Sequence, residues 1–184
     1  MAEVTEWIAR ARAGDAAALD RIFELLYPEL RQVAHRRLSR RPEDALIETT
    51  ALVNECYLKL LRTDQLRPAD RAHFLAYSAT VMRSIIVDAA RQARTDRRGG
   101  GAEHVELDTD MAASLPDPAT EIVDVHLALE ELGRVDARLA QVVEMRYFAG
   151  MSDTEIGAVL GLSDRTVRRD WDKARLLLAH ALRG

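Results

Sequence analysis

The side chains of this 184-residue chain with the clearest chemical potential sit near its C-terminus, and their chemistry is recognition rather than catalysis. Ser152-Asp153-Thr154-Glu155 has the capping-box spacing that opens a helix, with Ile156, Val159 and Leu160 turned inward, and Gly161-Leu162-Ser163 then turns the chain. In the helix that starts next, Val167, Trp171, Ala174 and Leu178 share one face. Arg165, Arg169 and Asp172 lie opposite, with Thr166, Arg168 and Lys173 on the flanks. A helix that enters the major groove must offer base-reading and phosphate-binding side chains near its N-terminus while its other face stays anchored. Arg165, Thr166, Arg168 and Arg169 meet that need, so the spacing predicts a helix-turn-helix with a DNA-recognition helix. The plainer alternative is a helical hairpin with a solvated face. Asp164, Asp170 and Asp172 run against DNA binding unless they pair with the arginines.

Catalytic chemistry finds no such constellation. The single cysteine, Cys56, lies in an apolar-periodic stretch and reads as a packing residue. The five histidines are scattered, so neither a metal site nor a cofactor site is expected and the chain does not read as an enzyme.

Charge is segregated behind a net value of −4. Residues 31–41 carry Arg31, Arg36, Arg37, Arg40 and Arg41 with no acid, while Arg134 alone opposes the ten acids of residues 101–136. Between them, Arg83, Arg91, Arg94, Arg97 and Arg98 outnumber Asp88 and Asp96. Basic surface concentrated in the N-terminal half favours a polyanionic partner.

The elements that must position these residues are helical throughout. One amphipathic series runs through Ile8, Leu19, Ile22, Leu25, Leu26, Leu30 and Val33, and a second through Leu52, Val53, Cys56, Tyr57, Leu60 and Leu61. A third helix is expected from about Arg71 to Ala93, with Phe74, Tyr77, Val81, Ile85 and Ala89 inward, after a loop over 62–70. Gly99 to Gly101 and the acidic, proline-bearing stretch after them read as a flexible linker. Beyond it, one helix carries Ile122, Val125, Leu129 and Leu132, and another carries Val135, Leu139, Val142, Val143 and Tyr147 before stopping at Gly150. The expected fold is therefore all-α, with two small helical domains (1–98 and 121–184) joined by a linker (99–120). No apolar run approaches the roughly 20 residues of a membrane span. Without a readable export signal at the N-terminus, a cytoplasmic location is the expectation.

A helical domain with a basic last helix, an acidic linker and a C-terminal helix-turn-helix resembles bacterial sigma factors of the extracytoplasmic-function (ECF) class. The most specific stretches are LVNECYLKLL (Leu52 to Leu61), HFLAYSATVMRSIIVDAARQAR (His73 to Arg94) and MSDTEIGAVLGLSDRTVRRDWDKARLLL (Met151 to Leu178). The resemblance implies binding to core RNA polymerase and recognition of the −10 and −35 promoter elements by the first and second domains. It implies that Leu52, Val53, Asn54, Glu55 and Leu58 face the polymerase clamp, and that Arg83, Ser84, Arg91 and Arg94 lie along the −10 DNA. The loop over 62–73 would hold a flipped base. Arg165, Thr166, Arg168, Arg169 and Lys173 would read and clamp the −35 duplex. A stand-alone helix-turn-helix regulator is the rival reading, and an adaptor that only sequesters a protein partner is a third.

One departure from the family bears on regulation. Where these sigma factors usually carry Asp-Ala-Glu-Asp before the polymerase-binding helix, this chain has Glu48-Thr49-Thr50-Ala51. Losing one partner of a desolvated charge pair costs roughly 2 to 5 kcal/mol at an interface. A phosphate on threonine restores about −1.5 to −2 charge, at a helix start where the dipole also favours it. Activation by a Ser/Thr kinase at Thr50, with Thr49 second, is therefore expected, as in a subgroup of these sigma factors that lacks the acids. The competing expectation is a threonine that merely caps the helix.

Overall fold

The computed structural model describes residues 2–38, 46–63, 68–99 and 118–183, and all regular structure among them is helical. The first apolar series is split between two helices, α1 (Ala2–Arg12) and α2 (Ala16–Leu38). The break falls at Gly14, whose φ of +93° suits a residue without Cβ. Asp15 closes the corner by accepting from the Ala17 N–H at 3.1 Å and from the Arg10 guanidinium at 2.6 Å.

Helix α3 (Thr49–Leu61) buries Leu52, Val53, Cys56 and Leu60. Helix α4 continues past Ala93 to span Arg71–Gly99. Its deepest row is Phe74, Ser78, Ala79, Met82, Ile86 and Ala90, whereas Tyr77, Val81, Ile85 and Ala89 are half-buried beside it. The difference has a packing cause. Small residues such as Ser78, Ala79 and Ala90 carry little hydropathy but allow neighbouring helices to come closest.

The second half contains α5 (Pro118–Val135), α6 (Ala137–Val143), a π turn over Glu144–Phe148, α7 (Asp153–Leu160) and α8 (Asp164–Ala181). Helix α5 begins inside the stretch expected as linker: Pro118 opens its first turn, where a missing N–H costs nothing, and Ala119 packs with Ala90 of α4. The rest of that linker, 100–117, lies outside the described residues. Val135 and Tyr147, expected inward, are exposed. Asp136 interrupts the helix before Tyr147's series begins, capping α6 by accepting from the Leu139 N–H at 3.3 Å. The wider π turn then buries Met145 and Phe148 instead.

The halves share a core. Val142, Met145, Ala149, Met151, Ile156 and Val167 are continuous with buried side chains of α1 to α4. Burying each large aliphatic side chain there contributes about 1.5 to 3 kcal/mol. A smaller cluster, including Leu129, Leu132, Leu139, Val143, Phe148 and Ala174, belongs to the second half alone.

Candidate nucleic-acid and polymerase interfaces

The helix-turn-helix is built as its sequence requires. Ser152 caps α7, and Glu155 reciprocates by accepting from the Ser152 N–H at 2.8 Å, bonds that hold its carboxyl below the ordinary range. Gly161 ends α7 in the left-handed region at φ +68°, and a Cβ at Gly157 would stand 2.6 Å from the Leu162 carbonyl oxygen. Ser163 then caps α8 by accepting from the Thr166 N–H at 3.3 Å.

Arg165, Arg168, Arg169 and Lys173 are all exposed on α8, while Thr166 is half-buried with its hydroxyl against Ser163. Of the acids that ran against DNA binding, Asp170 is buried, Asp164 half-buried and Asp172 exposed. Asp170 is only 3% exposed, with the Arg138 Nε at 2.8 Å and the Arg169 Nε at 3.6 Å. Asp164 accepts from the Thr154 hydroxyl at 2.8 Å, which ties α8 to α7. Arg168 reaches Asp153 at 3.0 Å, and Lys173 lies 3.7 Å from Asp136.

On α4 the expected DNA-facing residues separate. Arg91 is exposed and Arg94 half-buried. Ser84 donates to the Val81 carbonyl at 2.7 Å and accepts from the Lys59 ammonium at 3.0 Å. Arg83 is covered: its side chain is 17% exposed and its Nε stands 2.7 Å from Glu144, itself 14% exposed. The Thr80 hydroxyl donates to the other Glu144 oxygen at 3.3 Å, and His126 of α5 touches the same guanidinium. Burial, together with the Arg83 cation, holds His126 below its ordinary value.

On α3, Leu52 and Val53 are 0% and 1% exposed and pack in the core, which corrects the expectation that they face a partner. Apolar residues spaced for a helix face pack inward as readily as outward. Asn54, Glu55 and Leu58 are exposed. Beside Asn54 a groove of about 620 Å³ runs between α2 and α3, with Asp20, Tyr27 and Tyr57 among its walls. The cap expectation is also corrected: Glu48 holds the N-cap position without a side-chain cap bond, and Thr49 and Thr50 are the first two helical residues. The first turn of α3 carries no acid, and Thr50 is exposed. Of the loop expected to hold a base, 64–67 lie outside the described residues.

Sequence reasoning missed Glu144, Asp153 and Arg138. Nothing in their spacing marks Glu144 or Arg138, and Asp153 was absorbed into the capping box. Asp170 did carry a signal, because it falls at the inward spacing between Val167 and Ala174. Among the described residues, no group of three or more His, Cys, Asp and Glu side chains is arranged for a metal ion, and no helix is long and apolar enough to cross a membrane.

The fold defines the class: an all-α protein with a C-terminal helix-turn-helix whose second helix exposes a cationic row. Residues 1–184 match the ECF sigma factor family across the whole chain, and the protein belongs to that family. It is similar to the ECF RNA polymerase sigma factor SigL of Mycobacterium tuberculosis in three strains, at 28% identity over 161 residues, covering 85% of this chain and 86% of the relative. Membership assigns the general role, promoter-directed initiation as an RNA polymerase sigma factor.

Proposed function

We propose that this sigma factor binds core RNA polymerase through Asn54, Glu55 and Leu58 of α3, and that phosphorylation of Thr50, with Thr49 second, switches that binding on. Arg83, Ser84, Arg91 and Arg94 contact the −10 element once the halves part, and Arg165, Thr166, Arg168, Arg169 and Lys173 read and clamp the −35 duplex. The observation that carries the switch is the start of α3. Its exposed face is preceded by two threonines that do not cap it, at a first turn without an acid. Phosphate there meets the positive end of the helix dipole and replaces the negative charge missing from Glu48-Thr49-Thr50-Ala51. A Ser/Thr protein kinase is the implied partner.

The test is single-round transcription by core polymerase, with core affinity measured alongside, for wild type, Thr50→Ala, Thr50→Glu and protein carrying phosphothreonine at position 50. Phosphothreonine is expected to tighten core binding about tenfold or more and to raise transcript yield in step. Thr50→Ala should stay refractory to kinase, and Thr50→Glu, with one charge, should rise only partly. Full activity of unmodified protein would remove the switch and keep the sigma assignment. Tight duplex binding by the chain alone, with no transcripts in any form, would favour a stand-alone regulator.

A further inference from the structure

The arginines of α8 are not equivalent. Arg165 has no partner among the described residues, and Arg169 has only Asp170 at 3.6 Å. Arg168 is held at 3.0 Å from its Nε to the Asp153 Oδ2, although its side chain remains 66% exposed. The other Asp153 oxygen takes the Arg146 guanidinium, which lies over the Trp171 ring at 5.0 Å from its centroid. Trp171 in turn packs against both the shared core and the core of the second half. Asp153 is itself fixed, as the first residue of a helix whose preceding Ser152 is locked in a capping box.

The chain of contacts runs from a packed tryptophan through Arg146 and Asp153 to a solvent-facing guanidinium. Because the carboxylate takes Nε, and the terminal nitrogens of Arg168 have no partner among the described residues, the two-pronged end of the group remains to donate. A guanidinium in that state has given up much of its rotamer freedom before DNA arrives, and it suits a planar pair of acceptors. Guanine offers such a pair in the major groove, at O6 and N7. The paired carboxylate also offsets the cation, so Arg168 serves geometry better than it serves bulk attraction to phosphate.

We propose that Asp153 is a positioning residue that presents Arg168 to one guanine of the −35 element, leaving Arg165 and Arg169 as phosphate clamps. The inference rests on the reading of α8 as the duplex-reading helix. To test it, holoenzyme assembled from core polymerase and full-length chain selects from a library of randomised duplexes, and the bound fraction is sequenced. Wild type is expected to enrich one guanine of the upstream motif about ten- to a hundredfold over other bases. Arg168→Ala and Asp153→Ala should both flatten that column while sparing the others, and the double variant should be no worse than either. Asp153→Asn, with its shape kept and its charge removed, should fall between. Arg165→Ala should keep the column and lower the salt slope of binding by about one. The proposal is overturned if Asp153→Ala and Asp153→Asn leave the column intact, if they weaken every column equally with a lowered melting temperature, or if Arg168→Ala flattens a column that is not guanine. A wild-type motif without any upstream element would instead overturn the duplex-reading assignment of α8, and the inference with it.

Discussion

At the scale of single residues, the helix-turn-helix depends on two glycines for different reasons. Gly157 is needed for space, since a Cβ there would press on the Leu162 carbonyl oxygen, a backbone atom that cannot swing away. Gly161 is needed for conformation alone, with φ +68° and open space around it. Gly157→Ala is therefore expected to cost about 1 to 3 kcal/mol and to weaken duplex binding by misplacing α8. Gly161→Ala should cost about 1 kcal/mol, and Gly161→Asn less, because asparagine tolerates the left-handed region. Urea melts of the three variants check the order. If Gly157→Ala proved the mildest, the close approach would not be limiting.

At the scale of elements, α8 is pinned to α6 by a charge rather than only by its apolar face. Asp170 is nearly inaccessible, and Arg138 is its nearest cation. Removing the arginine strands a buried carboxylate, while neutralising the acid leaves a half-exposed arginine that water can still serve. Arg138→Ala is thus expected to cost about 2 kcal/mol, and Asp170→Asn distinctly less. Denaturant midpoints of the two variants decide the point, and equal costs would contradict it.

For the whole molecule, the contact that matters is the one between α4 and the second half. Arg83 is closed off by Glu144, Thr80 and His126, while Arg36 donates to the Gly150 carbonyl at 3.3 Å. Glu144→Ala should loosen the halves and free Arg83, read as a larger radius of gyration and tighter binding of single-stranded DNA by the full chain. An unchanged radius would mean that the shared apolar core alone holds them. Acid should act in the same direction. His126 faces Arg83 and Arg91 from α4, Glu130 from its own helix and Glu144 from the π turn, and its value is lowered in the fold. Its contribution is complete above the ordinary imidazole value of about 6.5 and is lost as pH falls through the lowered folded value. The melting temperature of wild type should therefore drop more than that of His126→Gln between about pH 7.5 and about pH 5.5.

Periodicity and local chemistry were enough, from the amino-acid order alone, to specify helices, the capped turn of the helix-turn-helix, and an outward cationic row on α8. Those features depend on neighbours within a few residues, where spacing maps directly onto a face. The same information misplaced the inward row of α4, because small residues that pack tightest carry the weakest hydropathy. It also ran Ile8 to Val33 together across Gly14, where a single backbone angle ends the helix. Which side of α3 is surface, and so whether Leu52 and Val53 can meet a partner, was decided by α2 and α4 closing over them. The pairings of Arg83 with Glu144, Asp153 with Arg168, and Asp170 with Arg138 likewise came only from tertiary structure. Each joins charges on different elements, and no local spacing records which elements will come together.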